Sequence, residues 1–238
     1  MTTNTTFRTV AKLALAGAIS VVGLTATGTA AQAAPCTDGK VIIAKPGVTT
    51  YGTECDDKIS GTTGKDVIHG MGGDDEIMSA GGDDSVYGGN GHDEIYTGSG
   101  ADLVLGDAGD DFIMGGTEKD IINGGAGDDI MRGEEGNDIL TSYAGPNVHD
   151  GDDELLGGDG NDTLGGYEGI DYHHGGSGDD TMESHEALPV RDNFVGGPGK
   201  DTFKVQDFID HSFVNRDDVQ NDNFDYPVTN KNTNDWIH

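Results

Sequence analysis

The chain has 238 residues, with 44 acidic side chains against 13 basic ones, a formal net charge of -31, and 41 glycines. Only 33% of its residues are hydrophobic, against roughly 45–50% in an ordinary globular domain. These figures exclude charge-driven nucleic-acid binding, which needs Lys and Arg, and a multi-span membrane protein, which needs long apolar runs. They also speak against a conventional globular enzyme, because too little apolar surface exists to offset the entropy of ordering the chain.

Residues 1–33 carry Arg8 and Lys12 and no acid. A soft apolar stretch runs from Leu13 to about Ala30, followed by the small-x-small pattern Ala31-Gln32-Ala33. This reads as a secretory signal peptide cut after Ala33. The stretch is too rich in Ala, Gly and Thr to make a good membrane anchor. Pro35 before Cys36 does not fit a lipid-attachment pattern. Cleavage removes two cations and takes the charge from -31 to -33. Residues 34–56 then form an N-terminal cap. Cys36 and Cys55 are the only cysteines, and an even count in an exported chain reads as one disulfide. It would close a loop of about 20 residues and contribute roughly 3 kcal/mol. Within that loop Val41-Ile42-Ile43 reads as a strand and Lys45-Pro46-Gly47 as a turn.

From Asp57 the sequence becomes periodic. Asp57, Asp66, Asp75, Asp84, Asp93, Asp102, Asp111, Asp120, Asp129 and Asp138 stand nine apart. After a six-residue insertion around Pro146 the series resumes at Asp153, Asp162, Asp171 and Asp180. After a three-residue insertion containing Pro189 it ends at Asp192 and Asp201. Residues 57–205 therefore hold 16 units. Two residues after each Asp the side chain is apolar in 15 of the 16, His173 being the exception. Four residues after it stands Gly, or else usually Ser or Thr, and seven residues after it Gly again. Complete GGxGxD turns end at Asp93, Asp129, Asp162, Asp180 and Asp201.

Three residues with a central apolar one predict a very short strand with one inward side chain. The glycine-rich remainder must reverse the chain, and glycine permits the positive φ that such turns require. Strand, turn, strand, turn makes a coil of 18 residues, and each strand pairs in parallel with the one two units on. The prediction is an all-β solenoid of about eight coils, about 38 Å long at ~4.8 Å per coil. Two apolar side chains per 18 residues make a thin core, and stacked carboxylates repel. A cation between the turns is required. The donors on offer are carboxylates and glycine carbonyls, and hard oxygen donors at flexible spacing select Ca²⁺ over Zn²⁺ or copper, and over Mg²⁺ with its strict octahedron.

The nonapeptide G-G-x-G-x-D-x-U-x resembles the RTX, or haemolysin-type, calcium-binding repeat. That resemblance implies a right-handed parallel β-roll with Ca²⁺ held between turns on the same edge. By position it implies the ligands Asp66, Asp75, Asp84, Asp93, Asp102, Asp111, Asp120, Asp129, Asp138, Asp153, Asp162, Asp171, Asp180 and Asp201, and on the order of ten ions. Asp57 and Asp192 are left out: only Gly52 remains in the turn before the first, and no glycine in the turn before the second. Glu118 replaces a turn glycine before Asp120 and marks a weakened site. The insertions at about 142–150 and 184–191 are expected to interrupt the ion rows. Family members exported in one step carry a C-terminal signal, so an N-terminal one implies a different secretion route.

No catalytic motif accompanies the repeats: GxSxG, HExxH and the P-loop lysine are all missing from the sequence. Residues 34–56 and 206–238 are each too short for a catalytic domain. The paired acids, such as Asp74-Asp75 and Asp83-Asp84, recur in nearly every turn and read as ligands or a solvated edge rather than acid/base pairs. His173 reads as a core histidine near a roll end, and His173, His174 and His185 as a weak transition-metal candidate. Two outward apolar patches are expected in mid-roll, Tyr96, Phe112, Met114 and Ile130 on one face, Tyr87, Leu103, Leu105, Ile121 and Ile139 on the other. They would be covered by another part of the chain, or serve self-association or a protein or cell-surface partner. No outward Thr ladder is evident, which speaks against ice binding. In the tail, 206–238, the part to about Val214 is expected to cap the last coil and the rest to be mobile. The reading is a secreted, extracellular, non-enzymatic protein that folds on Ca²⁺ and has no membrane span after cleavage. Its alternative is a polysaccharide or cell-surface binding module, and an enzyme of unknown type ranks below both.

Overall fold

The computed structural model describes residues 36, 39–146, 148–185, 192–205, 212–213 and 223–225. The expected leader, residues 1–33, most of the tail beyond residue 205, and the second insertion from residue 186 to 191 lie outside the described residues. The described chain is all strand: β1 (Val41–Ile43), β2 (Thr50–Tyr51), β3 (Lys58–Ser60), β4 (Val67–Gly72), β5 (Glu76–Met78), β6 (Ser85–Asn90) and β7 (Glu94–Ser99). Next come β8 (Leu103–Ala108), β9 (Phe112–Thr117), β10 (Ile121–Ala126), β11 (Ile130–Glu135), β12 (Ile139–Thr141), β13 (Glu154–Asp159) and β14 (Thr163–Gly166). Last are β15 (Tyr172–Ser177), β16 (Thr181–Ser184), β17 (Asn193–Val195), β18 (Thr202–Val205), β19 (Ser212–Phe213) and β20 (Asn223–Asp225). Odd strands form one parallel sheet of ten and even strands another, each strand pairing with the one two units away. This is the expected β-solenoid. The 16 repeats make β3 to β18, and β1–β2 and β19–β20 extend the stack at its two ends. Among the described residues no helix is long and apolar enough to cross a membrane.

The nonapeptide dictates this by alternation. Along β9 the burial runs Phe112 half-buried, Ile113 buried, Met114 half-buried, Gly115 buried. The residue two after each Asp therefore points inward, and all sixteen of these, from Ile59 to Phe203, are 0–2% exposed. They stack in register, Ile95 on Ile113 and Ile113 on Met131, as one continuous seam. Nine strands reach six residues rather than the expected three. In eight of them pairing continues through the next three positions, where the inward residue four after the Asp is glycine and carries no side chain to obstruct it, and β7 does the same with Thr97 there. Where that position is Ser79, Thr97, Ser142 or Ser184, the small hydroxyl residue is likewise buried.

Cys36 and Cys55 are joined, with their Cα atoms 5.3 Å apart. This ties the chain before β1 to the turn after β2. At the other end, β19 pairs with β17 and β20 with β18. Strand pairing thus reaches Asn223–Asp225, beyond the limit near Val214 that the composition suggests. His173 fills its core position between Leu155 and Phe194, 0% exposed, its ring stacked on Phe194 at 4.7 Å.

Register assembles the outer faces as expected. Tyr96 lies beside Met114, and Phe112 beside Ile130. On the other face Leu103, Ile121 and Ile139 run in one row, Tyr87 and Leu105 in the next. Ile121 is 45% exposed and Leu103 37%. Two contacts are invisible to pattern reading: the Arg132 guanidinium over the Phe112 ring, 5.5 Å from its centroid, and a column of stacked rings, Tyr51, His69 and Tyr87, at 4.9 and 4.5 Å. A short threonine row also exists, Thr163 beside Thr181 beside Thr202, where the sequence shows no ladder, because the insertions hide the register.

Ile113→Ala is expected to destabilise the calcium-loaded protein by about 2–5 kcal/mol, the usual cost of emptying a tightly packed core position. Ile121→Ala, on the exposed face, should cost far less. Thermal unfolding of both variants in excess calcium checks this, and equal losses would contradict the inward seam.

Candidate metal centre

The turn aspartates are buried. From Asp57 to Asp201, all sixteen are 0–3% exposed. Each sits at the foot of a strand, where the chain has just left a glycine turn and its side chain must fold back under the coil. There one carboxylate oxygen, Oδ1, accepts the main-chain N–H of the aspartate one coil earlier. Asp93 N donates to Asp111 Oδ1 at 2.8 Å, Asp102 N to Asp120 Oδ1 at 2.9 Å, and Asp111 N to Asp129 Oδ1 at 2.8 Å. The ladder holds Asp75, Asp84, Asp93, Asp138, Asp153, Asp162, Asp171, Asp180 and Asp201 in the same way.

The expected interruption by the insertions is not seen in these rows. Asp129 N still reaches Asp153 Oδ1 across 24 residues, and Asp171 N reaches Asp192 Oδ1 across 21. The stacking period is therefore preserved on both sides of each insertion. Asp192, which the glycine pattern leaves out, occupies the ladder like its neighbours. Asp66, which the pattern includes, differs: its Oδ2 accepts from Thr62 N and Oγ1, at 2.6 and 2.9 Å. Asp57 also differs, with Lys40 N on Oδ1 and Thr53 N on Oδ2.

The second oxygen is the telling one. In Asp75, Asp93, Asp111, Asp120, Asp129, Asp138, Asp162, Asp171 and Asp180, Oδ2 is buried with no hydrogen-bond partner. It lies beneath the glycine five residues earlier. An added Cβ at Gly70, Gly88, Gly106, Gly115, Gly124, Gly133, Gly157, Gly166 or Gly175 would collide with it. At Ser79, Thr97 and Ser142 a hydroxyl takes that place and faces Asp84, Asp102 and Asp153. A buried anionic oxygen with neither a hydrogen bond nor a cation is costly. Among the described residues no three His, Cys, Asp or Glu side chains form a ready metal cage, so a cation here would complete its shell with main-chain carbonyls. Oxygen donors of that kind, several to a site and without sulfur or imidazole, fit Ca²⁺.

The doubled acids divide the work. In Asp74-Asp75 the buried Asp75 accepts from the coil before, while exposed Asp74 accepts from His92 N in the coil after, at 2.9 Å. Asp110 N likewise donates to His92 Nδ1, and Asp128 N to Asp110 Oδ1. Each pair thus staples three successive coils. One buried acid was not singled out by sequence: Asp150, inside the first insertion, 2% exposed and accepting from Glu168 N at 2.8 Å. Nothing in the nine-residue phase marks it. The three histidines do not converge. His173 points inward, its pKa lowered to about 3 chiefly by burial. His174 lies on the outer face near Tyr172, and His185 stacks on Tyr167 and pairs with Glu183 at 3.3 Å.

The RTX calcium-binding nonapeptide repeat (4 copies) is the family whose model matches this chain, over residues 51–86, 72–104, 80–113, 105–140 and 149–182. The chain belongs to this family. Its repeats are calcium-binding repeats, and the buried aspartate rows are what the RTX nonapeptide supplies. No curated protein sequence matches the chain.

Burial, and then neighbouring carboxylates, push these groups far above the ordinary carboxylate range. Asp75, Asp111, Asp120 and Asp180 rise to about 7, and Asp129, Asp153 and Asp171 to about 8. A raised folded-state pKa means that the metal-free roll takes up protons on folding. Its relative stability is greatest below about pH 4 and is lost as pH rises through 6–8. Circular dichroism in EDTA should therefore show more β structure at pH 4 than at pH 8, and calcium affinity should fall as pH drops from 8 to 4 and protons compete. More β structure at pH 8 in EDTA would contradict the buried carboxylates. Gly106→Ala should displace the Asp111 carboxylate and weaken calcium uptake without altering charge, as read by calorimetric titration.

Proposed function

We propose that this RTX protein is exported through its N-terminal leader and winds into its roll on meeting calcium outside the cell, where it serves a structural or interaction role. One observation carries the reading: the row of buried Asp Oδ2 atoms, unpartnered and aimed beneath glycines that leave them room. The residues that would hold the ions are Asp75, Asp84, Asp93, Asp102, Asp111, Asp120, Asp129, Asp138, Asp153, Asp162, Asp171, Asp180 and Asp201, to which Asp192 is added by position. Asp66 stands at the start of the row. Calcium supplies the positive charge between coils, and on the order of ten ions would offset about 20 of the 33 negative charges. The protein supplies the rest: amides that hold one oxygen of each Asp in place, and glycines that keep the other clear.

This gives the fold a switch. At low calcium, like charges at the turns repel and the thin seam cannot hold the coils together. At the millimolar calcium outside cells, binding and folding become one event. RTX rolls are generally structural rather than enzymatic, and the engagement of the turn acids in hydrogen bonds between coils supports a structural reading. The aromatic column Tyr51–His69–Tyr87 spends its ring faces on itself, which leaves little flat surface for a sugar and favours protein or cell-surface contact through the apolar patches.

Calorimetric calcium titration with parallel circular dichroism tests the reading. The expected result is a coil-to-β transition that tracks the uptake of several ions and reverses in EDTA. A β spectrum unchanged by EDTA at neutral pH would overturn it.

A further inference from the structure

Five described residues other than glycine hold a left-handed backbone: Met71, Ala80, Asp107, Glu118 and Glu134, at φ of 75° to 87°. All but Glu118 stand at one position of the repeat, four residues before a turn aspartate. Elsewhere that position is mostly glycine with the same sense of φ, as at Gly89 and Gly116, at 120° and 118°. The first two turns differ. They carry Thr53 and Thr62 there, and neither is left-handed. A β-branched side chain strongly disfavours that backbone, so these two threonines dictate a second kind of turn.

The second kind satisfies its own carboxylate. Thr62 N donates to Asp66 Oδ2 at 2.6 Å, and Thr62 Oγ1 donates to the same oxygen at 2.9 Å. Thr53 N donates to Asp57 Oδ2 at 2.6 Å and Lys40 N donates to Oδ1, so both oxygens of Asp57 are held without a metal. The turns with Met71, Ala80, Asp107 and Glu134 supply no such donor, and Oδ2 of Asp75, Asp84, Asp111 and Asp138 is buried and unpartnered. An added Cβ at Gly70 or Gly106 would strike the Asp75 or Asp111 Oδ2, whereas at Gly61 it would strike the main chain of Ser79. Asp66 keeps one oxygen unpartnered, but it is the ladder oxygen Oδ1: the amide one coil earlier, Val48 N, is spent on Lys45 O at 3.0 Å. The turns before Asp153 and Asp171 fit neither kind, since the first holds the insertion and Tyr167 in the second donates its N–H to Ser142 Oγ at 3.2 Å.

The first coil is also fixed in other ways. Cys55 lies in the Thr53 turn, its N–H on Thr53 Oγ1 at 3.2 Å, and is joined to Cys36. From these turns Asp57 N donates to Asp75 Oδ1 and Asp66 N to Asp84 Oδ1, both at 2.7 Å. Asp75 and Asp84 are the first aspartates of the two edges whose Oδ2 is left over. The first coil therefore presents placed amides to the first turns that want a cation.

We propose that Thr53 and Thr62 exclude calcium from the first two turns, so that the ion rows begin at Asp75 and Asp84 and the roll winds from its N-terminal end. This rests on the calcium reading, and it draws a boundary in the row at Asp66 and gives winding a direction. A coil whose turns close on their own amides loses less when calcium is low. In a solenoid each formed coil is the surface on which its neighbour forms. The disulfide adds to this by restricting the unwound states of the first coil.

The test is calorimetric calcium titration of the whole chain beside the variants D66N, D111N and T62G, with hydrogen exchange of the parent followed by mass spectrometry along a calcium series. The proposal expects D66N to take up as many ions as the parent and D111N about one fewer. T62G should take up about one more, because glycine admits the left-handed turn and frees Asp66 Oδ2. As calcium rises, exchange should slow first over β3 and β4 and only later over β9 to β11. An ion lost in D66N, no ion gained in T62G, or protection that arises first over β9 to β11 would overturn the proposal. The exchange result comes from the parent alone and decides the matter even where a variant fails to fold. A parent chain that takes up no calcium would overturn the underlying calcium reading itself.

Discussion

One carboxylate, used twice, holds this molecule together. Nine of the turn aspartates, such as Asp111, give Oδ1 to an amide of the coil before and turn Oδ2 into a space beneath a glycine. The first contact fixes the spacing of the coils. The second leaves a negative charge inside the turn that water cannot reach, and burial pushes these groups towards neutrality when no cation is present. The stacking of the coils and the oxygen donors offered to calcium therefore arise from one group. A chain that satisfied both oxygens with hydrogen bonds would stack as well and have no use for metal.

The thin core follows from the same arrangement. A single inward side chain per nine residues leaves a seam one residue wide, so the coils must come close. Close approach requires glycine or a small hydroxyl residue at the next inward position, and glycine there is what makes room for the carboxylate. Apolar content, glycine content and acidity are thus tied to one another. The excess acid in the outer ladder, such as Asp74 and Asp110, is spent in turn on amides of the following coil, which is why the acids come in pairs.

Much of this was legible in the linear sequence because the repeat is strict. The inward residues from Ile59 to Phe203 follow from the nine-residue phase alone, and parallel pairing follows from an 18-residue coil. Less was legible wherever the phase breaks. The insertion before Asp153 looks like an interruption of the aspartate row, yet Asp129 and Asp153 are bonded across it, because register in a solenoid is kept by stacking and not by count. Asp192 and Asp150 carry no glycine signature, and only their neighbours in space reveal them. Six-residue strands were missed because the turn glycines double as pairing residues.

The sequence by itself determined the solenoid, its coil length, its seam and its supply of hard oxygen donors for calcium, since all of these are local and repeat every nine residues. Only the tertiary structure decided which oxygen of each aspartate is held and which is left over. It alone showed that the rows cross both insertions, and that three acids take up a backbone suited to glycine. The reason is physical: each of those facts concerns a contact between residues 18 or more apart, made by one coil on the next, and no window along the chain contains both partners.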